Sequence, residues 1–325
     1  MNILDKIQVS IQEEMKYFEK QFFQITKNKI SLIKNINNYI IPKKGKRIRP
    51  MFVFLIAKML GNIQKKTYHT ASLIELIHTA TLVHDDVIDN SNFRRGFSSI
   101  NAIWQNKIAV LIGDYFLSKG LLLATNHHYH DLLKIICTTV KNMSEGELLQ
   151  IEKSQTLDIT EKIYNQIICK KTAGLISASC EGGAISVNVS KRTSLNMKYF
   201  GKLSGIAFQI RDDLFDYDNI NDKLIGKPVG IDLKDKKITL PLIYAIKKAS
   251  KNDKIWILDS IKNFNNHTTN HKIIDYVKQS GGITYAIKQM IKYKNKALKI
   301  LDNYPKGSTK DSLKSLVNFL VERNI

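Results

Sequence analysis

Cysteine, proline, glycine and acidic residues are all scarce in this chain of 325 residues. Three cysteines, Cys137, Cys169 and Cys180, offer neither an even-numbered disulfide framework nor a paired metal-ligand spacing, which excludes a small disulfide-stapled fold. They read as ordinary thiols in a reducing compartment. Only 5 prolines and 16 glycines argue against a disordered chain or a turn-rich β protein. Residues 1–6 lead into no long apolar core of a signal peptide. The most apolar early run, residues 51–60, is interrupted by Lys58 and is too short to span a bilayer. The chain therefore reads as soluble and cytoplasmic. Acidic residues number 29 against 50 basic ones, a formal charge of +21. Such a balance suits nucleic acid, a membrane surface or phosphorylated small molecules. Lysine recurs along the whole chain together with isoleucine and asparagine, however, and a sequence-wide bias accounts for the excess equally well.

What the chain has in abundance is helical periodicity. Within residues 67–90, Leu73, Ile77, Ala80 and Val87 recur at spacings of four, three and seven. Residues 104–124, 132–151, 159–187, 195–217 and 239–249 behave alike, and convincing strand–turn–strand signals are absent. Residues 41–46, 91–99 and 219–237 read as loops. No repeat or flexible linker divides the sequence, so one all-α domain over residues 1–325 is expected.

Two acidic clusters carry chemistry. In His84-Asp85-Asp86-Val87-Ile88-Asp89, a helix places Asp85 and Asp89 at i and i+4 on one face, about 6 Å apart along the axis. Adjacent carboxylates repel, and a helix C-terminus is the wrong end for negative charge. A divalent cation would offset both costs, and an oxygen-only donor set points to Mg²⁺, which keeps waters and joins carboxylates to phosphates. Alone, this cluster reads equally well as a solvated acidic helix end. The same Asp-Asp-x-x-Asp spacing recurs 127 residues later as Asp212, Asp213 and Asp216, again at the end of an apolar-periodic helix. Two such helices facing one another would ring the mouth of a cavity with carboxylates. Lys46, Arg47 and Arg49, and Arg94 with Arg95, add cations whose geometry suits phosphate oxygens. Metal-holding carboxylates beside phosphate-holding cations describe a diphosphate site.

The pieces that surround these clusters are specific. They are Gly45–Pro50, residues 77–89 with Arg94-Arg95-Gly96, Gly113-Asp114-Tyr115, Gly146-Glu147, Lys171-Thr172-Ala173, residues 209–216, Gly226-Lys227-Pro228 with Gly230 and Asp232-Leu233, and residues 237–241. In this order they resemble the trans-prenyltransferases, the all-trans polyprenyl diphosphate synthases, and most of all the bacterial octaprenyl enzymes. The resemblance implies a single-domain helical bundle of the isoprenoid-synthase type around a central cavity, and a homodimer. It implies that Asp85, Asp89 and Asp212 bind Mg²⁺, supported by Asp86, Asp213 and Asp216. It further implies that Lys46, Arg49, His78 and Arg95 bind isopentenyl diphosphate, and that Arg94, Lys171, Thr172, Gln209 and Lys227 hold an allylic diphosphate. His78 lies seven residues before Asp85 and Gln209 three before Asp212, so each shares a face with its triad. Lys44, Ile231 and Lys236 depart from the family pattern without removing an assigned group.

The implied reaction is ionisation of the allylic diphosphate, attack by the double bond of isopentenyl diphosphate, and loss of a proton, repeated to lengthen the chain. Ala80 and Thr81, five and four residues before Asp85, leave a product tunnel open where short-chain members of the family often carry bulky aromatics. The resemblance thus implies a long product for quinone side chains, with peripheral membrane contact for its release. A terpene cyclase of the same fold would share the first triad but usually mixes Asn, Ser or Thr into the second, and has no need of an isopentenyl site. A basic helical nucleic-acid-binding protein would explain the charge, but no nucleic-acid motif is present and the triads would repel phosphates without metal. A catalytically silent partner subunit usually loses the triads that this chain keeps.

Overall fold

The computed structural model describes residues 3–43, 45–94, 96–217, 230–263 and 267–322. Lys44, Arg95 and Lys227 therefore lie outside the described residues. In chain order the helices are α1 Ile3–Gln8, α2 Gln12–Thr26, α3 Ser31–Ile40, α4 Ile48–Leu60, α5 Lys65–Ile88, α6 Ile100–Asn126, α7 His130–Thr156 and α8 Glu161–Ile168. They continue with α9 Gly174–Ile185, α10 Lys191–Phe215, α11 Ile231–Lys234, α12 Leu240–Lys248, α13 Lys251–Lys262, α14 His267–Gln279, α15 Gly282–Leu301 and α16 Ser308–Glu322. The class is all-α, as the periodicity requires.

Residue contacts divide the chain into two compact units. The first comprises Met1–Val140, Leu175–Lys198 and Tyr304–Leu313; the second comprises Lys141–Gly174, Tyr199–Asn303 and Lys314–Ile325.

In the first unit α4 is the central helix. Every side chain from Met51 to Ala57 is fully buried, as expected of a helix that is hydrophobic all round. Beside it runs α5, opened by a reciprocal capping box between Gln64 and Thr67 and packed along its length on α6. That close approach has a sequence cause: Ala109, Gly113, Gly120 and Ala124 form a stripe of small buried residues on α6. Among the described residues, α6 is the one helix long and apolar enough to cross a membrane by length and composition. Its other face leaves Ile103, Val110, Leu111 and Leu122 exposed.

The second unit is built on one apolar cluster in which Tyr164, Ile206, Ile210, Leu214, Ile257 and Val277 are all buried. Helices α8, α10 and α12 to α15 contribute to it.

Three local features differ from the sequence reading. Residues 91–99 form more than a loop: Phe93–Arg94 (β1) pairs antiparallel with Phe97–Ser98 (β2). Two-residue strands are too short to leave an alternating pattern. Residues 159–187, read as a segment of helical periodicity, contain a π-helical turn at Cys169–Ala173 between α8 and α9. Within the stretch read as the loop 219–237, Ile231–Lys234 forms a one-turn helix.

Candidate functional site

In the first unit the aspartate triad sits on the last turn of α5. Its three carboxylates have different fates. Asp86 is turned inward and is 3% exposed, and its Oδ1 accepts from both Nε and Nη2 of Arg94 at 2.6 Å. Asp85 is half-buried and Asp89 exposed. The hairpin brings Arg94 back to the helix: Ser91 N–H donates to the Asp86 carbonyl at 2.9 Å, and Ser99 Oγ donates to the Ser91 carbonyl at 2.6 Å. Arg94, expected on the allylic diphosphate, is thus held by the first triad. Next to the triad, His84 occupies a slot that only glycine leaves open, because a Cβ on Gly113 would fall 2.1 Å from His84 Nε2.

Arg49 and His78, both expected to bind isopentenyl diphosphate, meet here: Arg49 Nη1 and His78 Nε2 are 2.9 Å apart. Lys46 is exposed nearby in sequence. Arg47, between them in the same basic run, does something else. Its left-handed backbone, φ 50°, turns the side chain inward, where it is 8% exposed. It pairs with Glu75 at 2.5 Å and Glu19 at 3.2 Å. Burial disfavours its charge, but Glu75 and Glu19 outweigh this and hold the guanidinium protonated. A cavity lined by Gly45, Glu75, His78, Val83, Asp86 and Arg94 opens beside these groups. Ala80 is 1% exposed, and Thr81 Oγ1 donates to the His78 carbonyl at 3.0 Å; neither residue is part of that cavity's lining.

The second triad repeats the first at the end of α10. Asp213, the middle residue, is 5% exposed, while Asp212 and Asp216 are half-buried. Asp213 Oδ2 accepts from Tyr164 Oη at 2.5 Å and Oδ1 accepts from Gln209 Nε2 at 2.7 Å. Gln209 Oε1 in turn accepts from Thr172 Oγ1 at 2.6 Å. Lys171 pairs with Glu147 at 2.5 Å. Asp232, at the head of α11, donates its N–H to Asp216 Oδ2 at 3.2 Å. A cavity of about 170 Å³ is lined by Lys171, Thr172, Gln209, Asp213, Asp232 and Lys237, so three expected allylic-site residues converge on one space.

The electrostatics of this half call for positive charge. Burial pushes the Asp213 carboxyl up to about 7, partly offset by the donors Tyr164 and Gln209, with Asp212 and Asp216 adding repulsion. Burial, then Asp216 and Asp213, push Asp232 well above the carboxylate range. Among the described residues no three His, Cys, Asp or Glu side chains converge as a ready-made metal cage. The donor set still fits Mg²⁺, which demands few protein ligands, retains water and completes its shell with substrate phosphate. Asp85 with Asp89, and Asp212 with Asp216, provide the oxygen pairs, each at i and i+4.

Sequence reasoning missed Tyr164, Glu75 and the ion-pairing role of Glu147. Tyr164 lies seven residues, two turns, before Lys171, a spacing that shares its face but does not distinguish a hydroxyl with a job from a core aromatic.

The family model described as "Polyprenyl synthetase" matches residues 30–280. The chain is similar to the octaprenyl diphosphate synthase of Escherichia coli (strain K12), 31% identical over 99% of each chain. It is similar to the heptaprenyl diphosphate synthase component 2 of Bacillus subtilis (strain 168), 32% identical over 96% of this chain and 89% of the relative. Its fold resembles that of a polyprenyl synthase from Caulobacter crescentus CB15, solved with calcium and isoprenyl diphosphate. The TM-score is 0.91 at 29% identity, covering 98% of each chain.

The contrast between Arg47 and its neighbour is testable by stability. Arg47→Ala strands Glu75 in the interior, and breaking a buried pair of this kind costs roughly 3–5 kcal/mol. Lys46→Ala should leave the denaturation midpoint unchanged. Equal midpoints for the two variants in urea titration would show that Arg47 is not a structural anchor.

Proposed function

Since this chain belongs to the polyprenyl synthetase family and is a prenyltransferase, we propose that it is a long-chain all-trans polyprenyl diphosphate synthase. It adds isopentenyl diphosphate successively to an allylic diphosphate, farnesyl diphosphate first, to about the octaprenyl length, for quinone (ubiquinone) side chains. The observation that carries this reading is the repeated triad, whose middle aspartate is buried on protein donors while its outer pair lies on the more open face. Each triad has its own set of phosphate-binding candidates. In this reading the chain is one polyprenyl synthase domain.

Asp85, Asp89 and Asp212 would hold Mg²⁺, which when bound would supply positive charge to stabilise the departing diphosphate. Lys171, Thr172 and Gln209, with Arg94 and Lys227, hold the allylic diphosphate. The cationic groups stabilise negative charge as it develops on the departing oxygen. Lys46, Arg49, His78 and Arg95 orient isopentenyl diphosphate so that its double bond attacks the allylic carbon. Loss of a proton then completes a product one unit longer, ready to serve as the next substrate. No side-chain nucleophile is required.

The long product is supported by Ala80 and Thr81, which present no aromatic ring on the turns before Asp85. Similarity to octaprenyl enzymes is the ground for naming eight units. A homodimer is supported by the exposed Ile103, Val110, Leu111 and Leu122 along α6, an apolar face of the kind that soluble monomers rarely leave open. The enzyme acts in the cytoplasm, with peripheral membrane contact where its long apolar product leaves.

Incubation with farnesyl diphosphate, isopentenyl diphosphate and Mg²⁺ should yield long-chain product, and excess chelator should abolish it. Asp85→Ala and Asp212→Ala should each reduce turnover by orders of magnitude while circular dichroism stays unchanged. Near-normal turnover in either variant would refute the metal assignment. Ala80→Phe should stop elongation after a few units, read by chromatography of the products; full-length product from a folded variant would remove this residue from the tunnel. Sedimentation should give a dimer that Leu111→Lys weakens, and a wild-type monomer at micromolar concentration would rule the dimer out.

A further inference from the structure

Tyr164 is 2% exposed and its ring belongs to the apolar core of the second unit. Phenylalanine would fill that space equally well. What tyrosine adds is a single donor, Oη, aimed at Asp213 Oδ2 at 2.5 Å. Because Gln209 Nε2 occupies Oδ1 and Thr172 Oγ1 occupies Gln209 Oε1, the hydroxyl closes a chain of four side chains. Both oxygens of Asp213 are then fixed, and its carboxylate cannot rotate without breaking a bond to a buried partner.

We infer that Tyr164 is a positioning residue of the prenyl-transfer site. Through Asp213 it fixes the last turn of α10 and so the directions of Asp212 and Asp216, and through Gln209 it fixes Thr172. The inference rests on the reading of Asp212, Thr172 and Gln209 as metal and allylic-diphosphate groups. Removing the hydroxyl leaves Oδ2 a buried acceptor without its donor, a costly state. The carboxylate recovers a partner only by turning, which loosens its bond to Gln209 and releases Thr172. Lys46, Arg49 and His78 lie in the other unit and outside this chain of four side chains, so isopentenyl diphosphate binding should be unchanged.

The test compares the full chain with Tyr164→Phe and with Tyr285→Phe, a control whose hydroxyl donates to Glu161 at the start of the same helix α8. One readout is the rise in melting temperature produced by Mg²⁺ with inorganic diphosphate. The other is the pair of Michaelis constants for farnesyl and isopentenyl diphosphate. Tyr164→Phe should melt no more than a few degrees below the wild type without ligand, lose most of the ligand-induced rise, and raise the allylic KM about tenfold. Its isopentenyl KM should stay put, and Tyr285→Phe should match the wild type in every measurement. A full ligand-induced rise with an unchanged allylic KM in Tyr164→Phe overturns the inference. So does a loss of ligand-free stability with both KM values rising together, which is the mark of a purely structural residue. A wild-type chain that Mg²⁺ and diphosphate fail to stabilise overturns the site reading itself and this inference with it. Stabilisation without turnover of farnesyl diphosphate would instead overturn only the substrate assignment.

Discussion

Three carboxylates at the C-terminal end of a helix repel one another and face the negative pole of the helix dipole. Both halves of the molecule resolve the part of this conflict that protein groups can resolve, and they do so in the same way. The middle aspartate turns inward onto donors: Arg94 for Asp86, Tyr164 and Gln209 for Asp213. Once the middle residue is committed, helical geometry leaves little choice for the others. Residues at i and i+4 share a face, so Asp85 with Asp89, and Asp212 with Asp216, are placed together on the more open side. Their mutual repulsion is left for a cation to relieve. The more open carboxylate face is therefore a consequence of where the middle aspartate is buried.

Cations expected to meet phosphate are held in place by acids. Arg94 rests on Asp86, and Lys171 rests on Glu147 with side chains 27% and 14% exposed. A long flexible side chain tethered in this way loses part of its rotamer freedom before substrate arrives, which lowers the entropy cost of binding. The same pairing answers a question raised by the charge of +21. Beside the two cavities, Arg94 and Lys171 are each held by a particular acid, which sets them apart from the general excess of lysine.

Much of this was legible in the sequence because it depends on register. Helical class and the position of both triads follow from counting turns along amphipathic segments, whereas the grouping of Arg49 with His78 comes from the family resemblance alone. Arg47 was not legible. It differs from Lys46 and Arg49 by a left-handed backbone angle that sequence does not display, and its partners Glu19 and Glu75 each lie 28 positions away. The hairpin at Phe93–Ser98 was missed because two-residue strands carry no alternation. Tyr164 was missed because burial and hydrogen bonding are tertiary facts, and a buried tyrosine and a buried phenylalanine have the same periodicity.

The π turn at Cys169–Ala173 is the remaining link between fold and site. A π turn bonds i to i+5, so it is wider than an α turn and is frequent at functional positions. Three consecutive side chains on this turn reach three different partners: Lys170 to Glu145, Lys171 to Glu147, and Thr172 to Gln209. A wider turn rotates consecutive residues less about the axis, which keeps Lys171 and Thr172 together on the wall of one cavity. The turn is also pressed against α10, where a Cβ on Gly205 would come within 2.6 Å of Ala173 Cα. That contact sets the distance between the helix that carries the second triad and the turn that carries Lys171 and Thr172. A glycine without chemistry of its own thus fixes how far Thr172 stands from Gln209, and through it how firmly Asp213 is held.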